Sequence, residues 1–78
     1  MSPENMETIQ ETEFDIKEVL NNAEQGDFDA LDTAFLIFYY GIGVTKSKNN
    51  ALTWAYKMLK KYPDDGISKE RIELLLKN

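Results

Sequence analysis

The run Ala34–Tyr40, AFLIFYY, carries no polar group except two phenols, and it stops abruptly at Gly41-Ile42-Gly43. So short a run cannot cross a bilayer, which takes about 20 residues. Length alone leaves a buried helix and a core strand both open. The flanks favour a helix. Asp27 suits its N-cap, Asp29 its first turn, and Gly41 the left-handed position just past its end. A helix that is apolar on nearly every side must be covered on nearly every side. The stretch Ala30–Val44 is therefore expected to supply the central helix of a small all-α bundle.

Other segments supply the cover. Residues 1–8 lack apolar periodicity and contain Pro3, which predicts a frayed arm ahead of a single domain over 9–78. A first helix is expected from about Thr12, with Glu13 and Asp15 in its first turn and Gly26 at its end. Ile16, Val19, Leu20 and Ala23 form one apolar stripe, extended by Phe14 and Ile9. The opposite face, Glu11, Asp15, Glu18 and Asn22, is anionic. After the glycine loop, Ser47 is the expected cap of a third helix over roughly 48–61. Its apolar face is Ala51, Leu52, Ala55, Met58 and Leu59, with Trp54 and Tyr62 beside it. Lys48, Lys57, Lys60 and Lys61 go to water. Pro63-Asp64-Asp65-Gly66 reads as a turn. Ser68 then caps a short fourth helix that points Ile72, Leu75 and Leu76 inward. Short connections imply antiparallel neighbours.

Composition narrows the chemistry. The 78 residues contain no cysteine and no histidine. That removes disulfides, thiolate metal sites, the commonest general base and the commonest metal ligand. A core of this size yields only a few kcal/mol net, on the order of 3–5. Packing, shared with a partner or a second copy, has to supply the stability. The net charge of −5 is unevenly spread: residues 1–44 hold ten acids and only Lys17, while residues 45–62 hold five lysines and no acid. Two accounts stay open, a set of solvated helix faces or an acidic face that steers a basic partner. Direct binding to nucleic acid is not expected, because the excess charge repels phosphate. No basic segment precedes an apolar stretch at the N-terminus, so a signal peptide is not expected. The expected setting is cytoplasmic, with no membrane contact.

Residues 23–59 carry a further pattern. Gly26-Asp27-Phe28-Asp29-Ala30, Phe38 eight residues later, Gly41-Ile42-Gly43-Val44, and Ala51 with Trp54-x-x-Lys57 resemble the Sel-one-like repeat, a tetratricopeptide-related helix–turn–helix unit. Glycines at 26, 41 and 43 permit sharp turns, and Ala30 and Ala51 let two antiparallel helices approach closely. Ala34-Phe35 stands where the family has Leu-Gly, and Ser47 stands where its loop has Asp. Only one copy is present, whereas solenoid repeats need about three to bury their faces. The first and fourth helices are thus expected to cap a solitary unit. The resemblance implies a protein-binding scaffold and not a catalyst.

Candidate sites follow from these faces. Gly41-Ile42-Gly43 lacks the third glycine and the following Lys-Ser or Lys-Thr of a phosphate cradle, so it reads as a structural turn. The carboxylates fall on polar faces, where nothing separates their pKa values for acid–base work. Asp64 and Asp65 are too few for a calcium loop. No cofactor or metal is expected. Trp54 and Met58 read as core. The partner-binding candidates are Glu11, Asp15, Glu18, Asp29 and Asp32, with Tyr39 or Tyr40 as an apolar anchor. The leading expectation is a small acidic inhibitor, an immunity protein that neutralises a cationic, nuclease-type toxin. The alternative is an adaptor that homo-oligomerises by stacking its repeat; a homodimer is compatible with both.

Overall fold

The computed structural model describes residues 15–77, and within them the chain forms four α-helices and no strand. These are α1 (Ile16–Glu24), α2 (Phe28–Tyr40), α3 (Lys48–Lys61) and α4 (Gly66–Lys77). The expected arm, the first turn near Thr12, and Ile9, Glu11, Glu13 and Phe14 lie outside the described residues. The expected all-α bundle is what the chain adopts.

Helix α2 sits at the centre. Asp27 is its N-cap and accepts a hydrogen bond from the Ala30 N–H at 2.9 Å. Gly41 ends it in the left-handed conformation, and the N–H groups of Gly41 and Ile42 both donate to the Ile37 carbonyl at 2.8 Å. That arrangement satisfies a carbonyl the helix end would otherwise orphan. Ala34 and Ile37 have no exposed surface, and Leu31 and Phe35 have almost none. Cover is nonetheless incomplete, because Leu36, Phe38 and Tyr39 are half-buried and Tyr40 is exposed.

Helices α2 and α3 form an antiparallel hairpin with alanines at the seam. Ala34 and Ala51 have no exposed surface, and Ala55 and Ala30 are buried beside them. Trp54 and Met58 fill the adjoining space. At the open end of the hairpin, the Tyr62 hydroxyl donates to the Gly26 carbonyl at 2.6 Å, and its ring meets Phe28 edge-on at 5.1 Å. At the closed end, the Ser47 N–H donates to the Phe38 carbonyl at 2.9 Å. Ser47 then caps α3 through its hydroxyl, as expected from sequence.

Helix α1 lies antiparallel to α2. Its stripe Ile16, Val19, Leu20 and Ala23 faces inward, with Ala23 buried and the others half-buried. Its start differs from expectation, because Asp15 is the N-cap and not a first-turn residue. Asp15 takes a non-helical backbone conformation and accepts from the Glu18 N–H, a bond available to a short acidic side chain only at a cap. Glu24 of α1 pairs with Lys57 of α3 at 3.5 Å.

Helix α4 packs on α3, at the far side of the hairpin from α1, and runs back in the direction of α2. Asp65, and not Ser68, caps it: the Asp65 carboxylate accepts from the Ser68 N–H, and the Ser68 hydroxyl donates to the Asp65 carbonyl. This reciprocal pair satisfies Ser68, which is fully buried. The buried face is Ser68, Ile72 and Leu75. Leu76 does not point inward as expected but is 61% exposed. A face centred on positions 68, 72 and 75 leaves position 76 at its edge.

Two glycines should respond oppositely to alanine. Gly43 has φ +72°, and a Cβ there would stand 2.7 Å from Ile16 Cδ1. Gly66 opens α4 in open space with no positive φ. Gly43→Ala is expected to cost about 1–2 kcal/mol for the left-handed backbone alone. Gly66→Ala is expected to stabilise by about 0.4–1 kcal/mol. Urea unfolding midpoints of the two variants check both signs.

Candidate functional site

The carboxylates expected to act together are divided along the molecule. Asp15 and Glu18 begin α1, next to the glycine loop, as the approach of Gly43 to Ile16 shows. Asp29 and Asp32 begin α2, at the opposite end of the bundle. The nine residues of α1 span roughly 13 Å between these ends. Glu11 lies outside the described residues. Asp15, Glu18 and Asp29 are exposed and make no ion pair among the described residues. They form an anionic edge along α1 and the start of α2, not a compact cluster.

Asp32 has a different role. Its carboxylate pairs with Nη1 of Arg71 on α4. The Arg71 guanidinium also lies over the Phe35 ring, 4.5 Å from its centroid. Both groups are largely shielded, with side-chain exposures of 21% for Arg71 and 34% for Asp32. Nη1 is buried, lacks hydrogen-bond alignment with Asp32 and finds no other acceptor. The pair therefore joins α4 to α2, whose backbones do not approach closely. Sequence reasoning placed Asp32 on a polar face and missed Arg71, because the pairing depends on where α4 lies.

The tyrosines also stand in company that differs from the sequence expectation. Tyr39 stacks on Phe35 with centroids 5.3 Å apart, and Tyr40 meets Tyr39 edge-on at 4.9 Å. Lys46, Lys48 and Leu75 complete a groove with them. The aromatic pair is bordered by cations from the α2–α3 loop. Asp29 and Asp32 are far from it, at the other end of α2. The signal for these lysines was present in the abrupt change of charge after residue 44, since a tight loop must return Lys46 and Lys48 to the end of α2.

A second cleft, between the α1–α2 turn and α3, is lined by Glu24, Gln25, Gly26, Lys57, Lys60 and Lys61. Lys57 is occupied there by Glu24 and lies 5.4 Å from the Trp54 ring centroid. Lys60 and Lys61 occupy the last turn of α3, where the helix dipole favours cations. A structural role accounts for these three. Trp54 is buried in the core, as expected.

Among the described residues no group of three or more acidic side chains is arranged to hold a metal ion. No described helix is long and apolar enough to cross a membrane. Comparison of the chain with protein-family models, with curated proteins and with solved structures returns no match.

The two carboxylates of α2 should separate cleanly on mutation. Asp32→Ala removes the partner of the Arg71 guanidinium, whose Nη1 is buried, and is expected to cost about 1–3 kcal/mol. Asp29→Ala is expected to stay within about 0.5 kcal/mol of the parent, as for most surface changes. Chemical denaturation of both variants checks this; equal costs would refute the assignment of Asp32 to an α2–α4 strut.

Proposed function

We propose that this chain is a non-enzymatic protein-binding module that docks a cationic partner along the carboxylates of α1 and α2. Its most specific form is an immunity protein that neutralises a nuclease-type toxin. One observation carries the proposal: Asp15, Glu18 and Asp29 are exposed and make no ion pair among the described residues, although Lys17 stands on the same edge. A nuclease needs cations to hold phosphate, so its active site offers a complementary surface. The resemblance of residues 23–59 to a Sel-one-like repeat agrees with a scaffold that presents such a surface. Asp32 is spent on Arg71, so the working carboxylates are Asp15, Glu18 and Asp29, with Glu11 as a further candidate.

The proposal is tested in two stages. Affinity capture of the tagged chain from its source's lysate should retain one basic protein in near-equal amount, released by raised salt. Asp15→Lys, Glu18→Lys and Asp29→Lys combined should then slow association about tenfold or more and flatten its salt dependence. An unchanged rate and salt slope would refute the electrostatic reading.

A second reading is favoured by helix α4, where Ile67, Leu74 and Leu76 are each about half exposed or more. A repeat unit that stacks on its own kind would cover such a face. An adaptor of this kind would show a melting temperature that rises with protein concentration. A concentration-independent melting temperature with a monomer mass would remove it.

A further inference from the structure

At the closed end of the hairpin, Tyr39, Tyr40, Lys46, Lys48 and Leu75 enclose a groove of about 350 Å³. The groove is built from fixed parts. The left-handed Gly41 turns the chain, and the Ser47–Phe38 backbone bond brings Lys46 and Lys48 back beside the end of α2. Tyr39 is anchored on buried Phe35, and Tyr40, 66% exposed, stands edge-on to it. Leu75 is buried and forms the floor.

Cations and aromatic side chains meet in this groove. Lys57 and Arg71 are neutralised by carboxylates, whereas Lys46 and Lys48, like Lys17, Lys60, Lys61, Lys69 and Lys77, make no ion pair among the described residues. Lys48 also occupies the first turn of α3, where the helix dipole disfavours a cation. Folding alone gives no reason to place it there. Two free ammonium groups thus border an aromatic wall with a leucine floor.

We propose that this groove docks an acidic peptide segment of a partner protein, one that carries an apolar side chain. Its carboxylates would meet Lys46 and Lys48, and the apolar side chain would lie against Tyr40 over Leu75. The volume is near the lower end of small-ligand pockets, about 300–1,000 Å³, which suits one side chain of an extended segment. A second copy is the competing occupant, because its α4 exposes Leu74 and Leu76 beside Glu70 and Glu73, and the oligomeric state of the chain alone separates the two. The groove shares no residue with the anionic edge, so either assignment can fail without the other.

The probe is a short fluorescent peptide of glutamates around one leucine, with two controls. One control has glutamine for every glutamate, and the other has glycine for the leucine. Fluorescence anisotropy with the full chain should show the parent peptide binding at least about tenfold tighter than either control, a difference of about 1.4 kcal/mol. Lys46→Glu with Lys48→Glu should abolish that preference, and Tyr40→Ser should weaken binding of the leucine peptide but not of the glycine control. Both changes are at exposed positions, and circular dichroism would confirm that the variants fold. Equal binding of the three peptides, or binding untouched by the lysine reversals, overturns the proposal. It is also overturned if the chain alone forms a dimer that the lysine reversals dissolve, which assigns the groove to a second copy. Tighter peptide binding after Glu4, Glu7, Glu11 and Glu13 are changed to glutamine would overturn it too, by assigning the groove to the chain's own acidic N-terminal stretch.

Discussion

The fold depends on how closely α2 can approach α3. Ala34 and Ala51 have no exposed surface, and Ala30 and Ala55 lie beside them. Small side chains at a seam bring two helix backbones together and let larger neighbours interdigitate around them. Leu31, Ile37 and Met58 then become almost fully buried without any cysteine to staple the chain. The other two helices pack on opposite sides of this hairpin, α1 on α2 and α4 on α3. Helix α1 is tied to it by the Glu24–Lys57 pair and α4 by Arg71. A bulkier seam would separate α2 from α3 and loosen the Tyr62–Gly26 bond that closes the open end.

What was legible in the sequence is what short-range chemistry determines. Asp27, Gly41 and Ser47 each perform the terminal role their side chains suit, because a cap acts within one turn of its own residue. The apolar stripes of α1 and α3 follow from a 3.6-residue period and fall on the buried side. Errors occurred where two local solutions compete. Asp65 and Ser68 both suit the start of α4, and the reciprocal bond between them places Asp65 outside and Ser68 within. Leu76 shares a turn with Ile72, and periodicity alone does not say where the contact face ends.

Long-range placement was less legible, and the candidate site depends on it. Asp29 and Asp32 are three residues apart on one helix and equally acidic, yet one is free and the other is tied to α4. Nothing within α2 distinguishes them. The difference comes from Arg71, nearly forty positions along the chain, and from a turn that sends α4 back beside α2. Tyr39 and Tyr40 show the same effect. In sequence they follow an acidic stretch, but the chain folds back at Gly41 and gives them lysines as neighbours.

The result is a molecule with separated charge. Its anionic edge runs along α1 to the start of α2, while the closed end of the hairpin carries two unneutralised lysines beside exposed aromatic surface. Lys46 and Lys48 are unpaired among the described residues, in a chain of net charge −5. Surface pairs add only about 0–1 kcal/mol, so stability applies weak pressure either way. On the proposed reading, an incoming carboxylate and apolar group would desolvate these lysines and make the same charges count for more. The acidic edge, where Phe28 is the large exposed apolar side chain among the described residues, would act instead by steering at a distance. On these proposed readings the two surfaces would differ in mechanism as well as in sign.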